Sequence, residues 1–445
     1  MDPRRSIFAR LYGVAMVAHV VGNWGQPSIP HLTGWVNLAV GAMGIWLSVR
    51  PDRLVMMLSA ASVIASVAAE IPATGNHWVL AGLIGMVILL SGDSERQLGA
   101  ARWILLVFYA FAAFAKLNFG FFDPSVSCAV FYGNQSLDGV GLPSIDPSSA
   151  LADAVIWGTV AIECSIPLLL LWRRTRYVGV MLGTGFHTLL SLDLNQHFYD
   201  FTSILLALFF LFVPDPSVQV MAGASNRVSA TTRRLVASWW SVIAACLVLL
   251  AVLPQTQMTA QILTTIPFAI WIPASLLWLG VLVWARSPAA AFSWRPSVLG
   301  GLVIGLTVLN GLTPYTEVKT AYSFNMYANL VTADGRSNHF VVRRTFPLRH
   351  DYSDPIEVVT SSDPGLQAYA DEGYLIAQPQ FQRYLATYPD TEVTFRVADR
   401  LVTLERASQS AIYSDPGPWW WRFLPLRALD SRSPPRCQAA FLPAL

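Results

Sequence analysis

Read in windows of about 20 residues, the length a helix needs to cross ~30 Å of hydrocarbon, the chain alternates apolar stretches with short polar connections as far as residue 313. Eleven stretches qualify, at about 7–24, 32–49, 54–71, 77–92, 98–117, 150–172, 177–192, 198–214, 235–253, 262–285 and 298–313. Several are short or rich in Gly and Ala, a composition that packs against neighbouring helices rather than lipid. From Pro314 the pattern changes. Charges become frequent, and runs such as His339–Val342, Ile356–Val359 and Thr391–Val397 alternate polar with β-branched residues, separated by Asp334-Gly335, Asp354-Pro355 and Asp363-Pro364. Such runs read as strands and such pairs as turns. The expectation is a mainly α polytopic membrane bundle of about 9–11 transmembrane helices over 1–313, followed by a β-rich extracytoplasmic domain over 314–445.

Composition narrows the class. Of the 445 residues 54% are hydrophobic and 13% charged, with a mean hydropathy of +0.47, whereas soluble domains carry about a quarter charged residues. Aromatics at 12% and a net charge of +2 exclude a disordered chain and give no reason to expect nucleic acid. The four cysteines form no CxxC and no Cys/His cluster, so no metal is expected.

Positive charge tests the segmentation, because Lys and Arg stay on the cytoplasmic side of short loops. Alternate connections hold Arg4, Arg5 and Arg10; Arg50 and Arg53; Arg96 and Arg102; Arg173, Arg174 and Arg176; Arg227, Arg233 and Arg234; Arg286 and Arg295. The intervening connections hold no Lys or Arg. A multi-pass cell-membrane protein with a cytoplasmic N-terminus and everything after the last helix outside is expected, which requires an odd number of helices. The first segment carries Arg10 and His19 and lacks an A-x-A cleavage site, so it is read as a retained helix. Cys128 and Cys437 fall on the expected outer side, where a disulfide persists if they meet; Cys164 and Cys246 read as small core residues. Trp419, Trp420 and Trp421 read either as an anchor at the headgroups or as a corner of the outer domain's core.

Candidate chemistry lies in a few polar residues among the apolar ones. The chain has two lysines, Lys116 and Lys319, against 27 arginines. Lys116 ends the fifth segment, flanked by aromatics. A guanidinium stays protonated in proteins, whereas a desolvated amine can act as a base; the alternative is that Lys116 snorkels to the headgroups. His187, near the end of the seventh segment after Gly179, Gly183 and Gly185, is either a site residue facing the bundle or a hydrogen-bonded packing residue. Glu163, four residues before Pro167, is read as a partner for a histidine or arginine or as a structural residue. His77 follows Asn76 at the outer end of the fourth segment, level with Lys116 in this topology; a neutral imidazole in hydrogen-bond reach would help keep the amine neutral.

These residues sit in recognisable surroundings. Arg102-Trp103-Ile104 followed by Phe108 to Leu117 resembles the lysine-bearing helix of vitamin K-dependent gamma-carboxylase and its bacterial relatives, the horizontally transferred transmembrane (HTTM) domain proteins. Glu163 to Pro167, Arg173 to Arg176, and Gly185-Phe186-His187 leading to Phe198 are similar to the next block of that family. Pro314-Tyr315, Tyr322 to Met326 and Arg336 to His339 resemble the segment after its last helix, and Asn76-His77 matches a histidine that assists the lysine there. The resemblance covers about 70–340. Two departures are plain: the family carboxylase has two adjacent lysines where this chain has Ala115-Lys116, and its large propeptide- and glutamate-binding region has no counterpart in 314–445.

The resemblance implies a lyase-class carboxylase using a reduced vitamin K or similar quinol, oxygen and CO2. Lys116 would deprotonate the quinol, dioxygen would convert the anion to a far more basic alkoxide, and that base would take a γ-proton from a glutamyl residue of a peptide or protein, or from a related acceptor, on the outer side. It further implies Lys116, His77 and His187 as catalytic residues and Phe114, Asn118, Glu163 and Phe198 as cofactor contacts. Two other readings of the residues stay open. One is a non-catalytic membrane protein binding a partner or lipid through its outer domain; the other, a transporter, is disfavoured by few intramembrane charges and no visible repeat.

Overall fold

The computed structural model describes residues 1–91, 94–287 and 293–437. The last eight residues of the expected outer domain, 438–445, lie outside the described residues. Among the described residues thirteen helices precede residue 313: α1 (Pro3–Gly22), α2 (Leu32–Val49), α3 (Arg53–Glu70), α4 (Asn76–Leu90), α5 (Ser94–Ala115), α6 (Cys128–Asp138), α7 (Ala150–Leu171), α8 (Arg176–Leu190), α9 (Phe198–Phe210), α10 (Asp215–Arg227), α11 (Ala230–Val252), α12 (Gln257–Trp284) and α13 (Val298–Leu312). Local chemistry sets many of their starts. The side chains of Asp2, Asp52, Ser149, Ser229 and Ser297 accept hydrogen bonds from first-turn amides, each such cap contributing about 1 kcal/mol. Thr256 and Thr259 form a reciprocal box at the start of α12.

Each of the eleven apolar segments coincides with a helix. Among the described residues seven helices are long and apolar enough to cross a membrane, or eight if α9 and α10, bent by 112°, form one broken span. α6 and α10 fall in connections, where polar residues such as Asn134 and Gln135 dilute the apolar signal; α6 is held by burying Val130 and Tyr132. At the centre, α1 packs between α2 and α9. Gly13 and Gly44 face each other there: a Cβ on Gly13 would lie 2.6 Å from the Gly44 carbonyl oxygen.

The two ends of the bundle differ. At one end arginines donate to helix-terminal carbonyls. Arg4 reaches Val213 O at 2.6 Å, Arg10 reaches Ser48 O at 2.6 Å, Arg102 reaches Leu211 O at 2.9 Å and Arg176 reaches Leu170 O at 3.0 Å. These carbonyls lack helical donors, and cations complete them favourably. The opposite end is covered by the rest of the chain. Phe324 N donates to Asn76 at 2.6 Å, Phe340 N to Leu117 O at 2.8 Å, and Arg422 to Ala68 O at 2.8 Å and Ile71 O at 3.0 Å. Cys128 and Cys437 form a disulfide, Cα to Cα 4.9 Å, tying the start of α6 to the tail.

Residues 315–344 thus pack on the bundle, with only a two-residue hairpin, β1 (Thr332–Ala333) and β2 (Arg336–Ser337), turning at Asp334-Gly335 with positive φ at both. The run at His339–Val342 forms a bridge to Asn118 rather than a strand, because its partners are helix-end residues. Beyond it lies an antiparallel sheet of β3 (Ile356–Ser361), β4 (Tyr374–Ile376), β5 (Val393–Val397), β6 (Arg400–Leu404) and β7 (Leu429–Asp430), in the order β6-β5-β3-β4-β7. Two helices, α14 (Pro364–Glu372) and α15 (Gln378–Thr387), interrupt the strands, and Leu366, Phe381 and Phe395 share the core. Asp363-Pro364, expected as a turn, is the cap and first residue of α14; proline suits that position because its missing N–H costs nothing there. Cys246 lies exposed on α11 and Cys164 is half-buried, so neither is the core residue expected.

Candidate functional site

Lys116 follows α5 in a tightened last turn, its backbone N–H reaching Ala113 O at 3.2 Å. Its side chain does not run out to a headgroup level. It is 4% exposed, and Nζ lies 2.8 Å from Glu163 Oε2 on α7, with Ala112 O and Met326 O each at 3.5 Å. Glu163 is therefore partnered by the lysine, not by a histidine or arginine. Pro167 has no N–H to give the Glu163 carbonyl four residues earlier, so the backbone at this turn of α7 is open as well.

Tyr109 and Ala112 stand seven and four residues before Lys116, on the same face of α5. The Tyr109 hydroxyl is hydrogen-bonded to His187 Nε2 on α8. His187 is buried, and its Nδ1 has no partner among the described residues. Gly183 makes this possible: a Cβ there would collide with the Phe209 ring, so only glycine lets α8 approach α9 this closely. Gly179 similarly faces α7, whereas Gly185 borders open space.

Between α5, α6, α7, α8 and α9 lies a cavity with a free volume of about 80 Å³. Lys116, Glu163, Tyr109 and His187 supply its polar groups; Phe121, Phe186, Phe198 and Phe201 give it apolar walls, and Tyr132, Met326 and Tyr327 line it too. Burial pushes the Tyr132 phenol up and holds Tyr327 at about 12, so both stay neutral. The segment carrying Met326 is contorted: Tyr322, Phe324, Tyr327 and Asn329 all have positive φ. Each such non-glycine residue costs on the order of 1–3 kcal/mol, and such strain clusters at functional sites.

Of the residues singled out in the sequence, Lys116, Glu163, His187 and Phe198 meet around this cavity. Phe114 and Asn118 do not line it. Phe114 packs on His339 and Tyr315, ring centroids 4.3 and 5.7 Å away. Asn118 donates to Ala115 O at 2.8 Å and Ala328 O at 2.5 Å and accepts from Phe121 N at 2.9 Å, bracing the end of α5 against the outer segment. Nor does His77 line the cavity: its Nε2 lies 2.8 Å from Asp200 Oδ2.

Asp200 opens a second buried cluster. His19 Nδ1 lies 3.0 Å from Asp200 Oδ2, and His19 Nε2 lies 3.1 Å from Glu70 Oε1. No spacing joins His19, Glu70, His77 and Asp200, which come from four helices; the one visible signal is a polar residue near the same end of each. Phe201 stands between the two clusters, its ring centroid 5.8 Å from His77 and 5.0 Å from His187. No family model matches the chain, and no curated protein or solved structure matches it.

Proposed function

We propose that the chain is a multi-pass membrane enzyme of the gamma-carboxylase-like class, with a quinol site at Lys116. The observation that carries this reading is a lysine ion-paired inside a mostly apolar cavity, beside a histidine with one uncommitted ring nitrogen. If α1, α4, α8 and α9 also span, making eleven with the seven long helices, the positive-inside rule would put the arginine-rich end in the cytoplasm and the cavity near the outer leaflet, with α6 outside and α10 inside.

The residues suit a flat, apolar ring with polar oxygens at its edges. Phe121, Phe198 and Phe201 offer the ring faces, and His187 Nδ1 and Lys116 Nζ offer groups to its oxygens. The free volume of about 80 Å³ is well below the roughly 300–1,000 Å³ of most ligand sites, so entry requires wall side chains to swing aside. When bound and oxidised by dioxygen, a quinol supplies a base strong enough for a glutamyl γ-proton, which no amine can remove. The chain's own part is to receive a proton. To act as that acceptor Lys116 has to be in its amine form; Glu163 Oε2, 2.8 Å away, is placed to take the proton from Nζ, and Nζ would then take the quinol proton and pair with the resulting anion. Tyr109 hydrogen-bonds the imidazole of His187, and the aromatic walls shield Lys116, 4% exposed, from water.

In purified protein, reduced naphthoquinol and oxygen should drive labelled bicarbonate into a glutamyl peptide. Lys116→Ala should abolish this, and Lys116→Arg should as well, because it keeps the charge and removes the base; unchanged incorporation in Lys116→Ala overturns the reading. A second reading, a non-catalytic protein docking on lipid or a partner, draws on Trp419 and Trp420, 77% and 46% exposed next to Arg422 at the end of α3. It expects Trp419→Ala with Trp420→Ala to abolish association while Lys116→Ala does not.

A further inference from the structure

His19, His77 and Asp200 present three ligand atoms that all lie within 4.8 Å of one another, contributed by α1, α4 and α9. Asp200 is central: its Oδ2 is 3.0 Å from His19 Nδ1 and 2.8 Å from His77 Nε2. We propose that these three residues bind one divalent first-row transition ion, a site separate from the Lys116 cavity and independent of the quinol reading.

The surroundings of His19 carry the proposal furthest. Its Nε2 is committed to Glu70. Glu70 in turn accepts from Ser66 Oγ at 2.7 Å, and Ser66 Oγ accepts from Trp78 Nε1 at 3.0 Å. Trp78 also stacks on the imidazole, centroids 3.5 Å apart and planes 11° off parallel. With an ion bound, Glu70 would hold the proton on Nε2 and leave Nδ1 to ligate beside Asp200, 3.0 Å away. A carboxylate on the far nitrogen of a ligating histidine is the usual outer support of a metal site.

Charge points the same way. Glu70 and Asp200 bring two negative charges into a region where their side chains are 0% and 11% exposed. One divalent ion with two neutral imidazoles balances both. Two protonated imidazoles would balance them equally, and the experiment separates these cases. Two imidazoles and one carboxylate suit zinc or ferrous iron better than magnesium or calcium, which take oxygen donors, and three protein ligands leave a coordination position open.

The test uses the full-length protein in detergent, purified through a tag without histidines. Metal content is measured by inductively coupled plasma mass spectrometry as isolated. After chelator treatment the protein is titrated with Zn2+, and with Co2+ read by its visible absorption. The expected result is about one ion per chain, with His77→Gln and Asp200→Asn lowering affinity at least tenfold. Glu70→Gln should retain the site but weaken it about 10–100-fold, as loss of an outer carboxylate does elsewhere. Wild-type protein that holds no ion as isolated and takes up neither Zn2+ nor Co2+ overturns the proposal, whatever the variants do. So does uptake in both His77→Gln and Asp200→Asn equal to wild type.

Discussion

The ion pair between Lys116 and Glu163 is open to a quantitative test. Its side chains are 6% and 11% exposed and its charged atoms 2.8 Å apart. Replacing Glu163 by Leu leaves an ammonium in an apolar cavity, and replacing Lys116 by Met leaves a carboxylate there; each removal should cost about 3–5 kcal/mol, the usual penalty for stranding one partner of a buried pair. Lys116→Met with Glu163→Leu strands nothing and fills similar volume, so it should lie within about 1 kcal/mol of wild type. The two partners should therefore couple by at least about 5 kcal/mol in a double-mutant cycle. Unfolding in SDS/dodecylmaltoside mixtures, followed by tryptophan fluorescence, gives the four free energies. Additive losses would falsify the pairing, and a single variant as stable as wild type would show that water reaches the charge.

Three further outcomes follow from particular contacts. Gly183→Leu should drive α8 away from Phe209 and destabilise by several kcal/mol, on the order of an overpacked core or more, with Gly185→Leu, which meets nothing, near neutral; thermal unfolding of the two variants compares them. Cys128→Ser should release the tail held at Cys437, seen as a loss of at least about 2 kcal/mol and as new protease cutting near residue 430 on non-reducing gels. Lys319, 6% exposed and lying just past α13, has its ammonium pushed down by burial from 10.5 to about 7. The unfolded chain then binds more protons than the folded one between pH 7 and 10.5, so this group makes stability rise with pH across that window, by on the order of 4–5 kcal/mol in full. Lys319→Met should flatten that part of the profile; an unchanged slope between pH 7 and 10 refutes the assignment.

Much of the bundle was legible because an apolar helix announces itself by length alone. The arginines added a second, independent signal, and in the structure they do converge at one end. α6 was hidden because its helix is bought by tertiary burial of two or three residues rather than by composition. The sheet region was half legible: β3 and β5 lie in the alternating runs, while Asp363-Pro364 carries the same letters whether it begins a turn or a helix. For the site, Lys116, Glu163 and His187 stood out as polar residues in apolar runs. What no spacing reveals is partnership across helices, and so His77 pairs with Asp200, Asn118 braces a helix end, and the four-residue cluster around His19 had no linear signature.

The cavity is closed by residues about 210 positions downstream of Lys116. The first five helices are synthesised long before Met326 leaves the ribosome, so Lys116 and Asn118 wait without their final partners through most of synthesis. A clone stopped at residue 313 freezes that unfinished stage: Asn76 loses Phe324, Asn118 loses Ala328, and one side of the chamber is missing. The segment carrying Met326 and Tyr327 is thus a component of the chamber wall itself, and cutting the protein at residue 313 discards it.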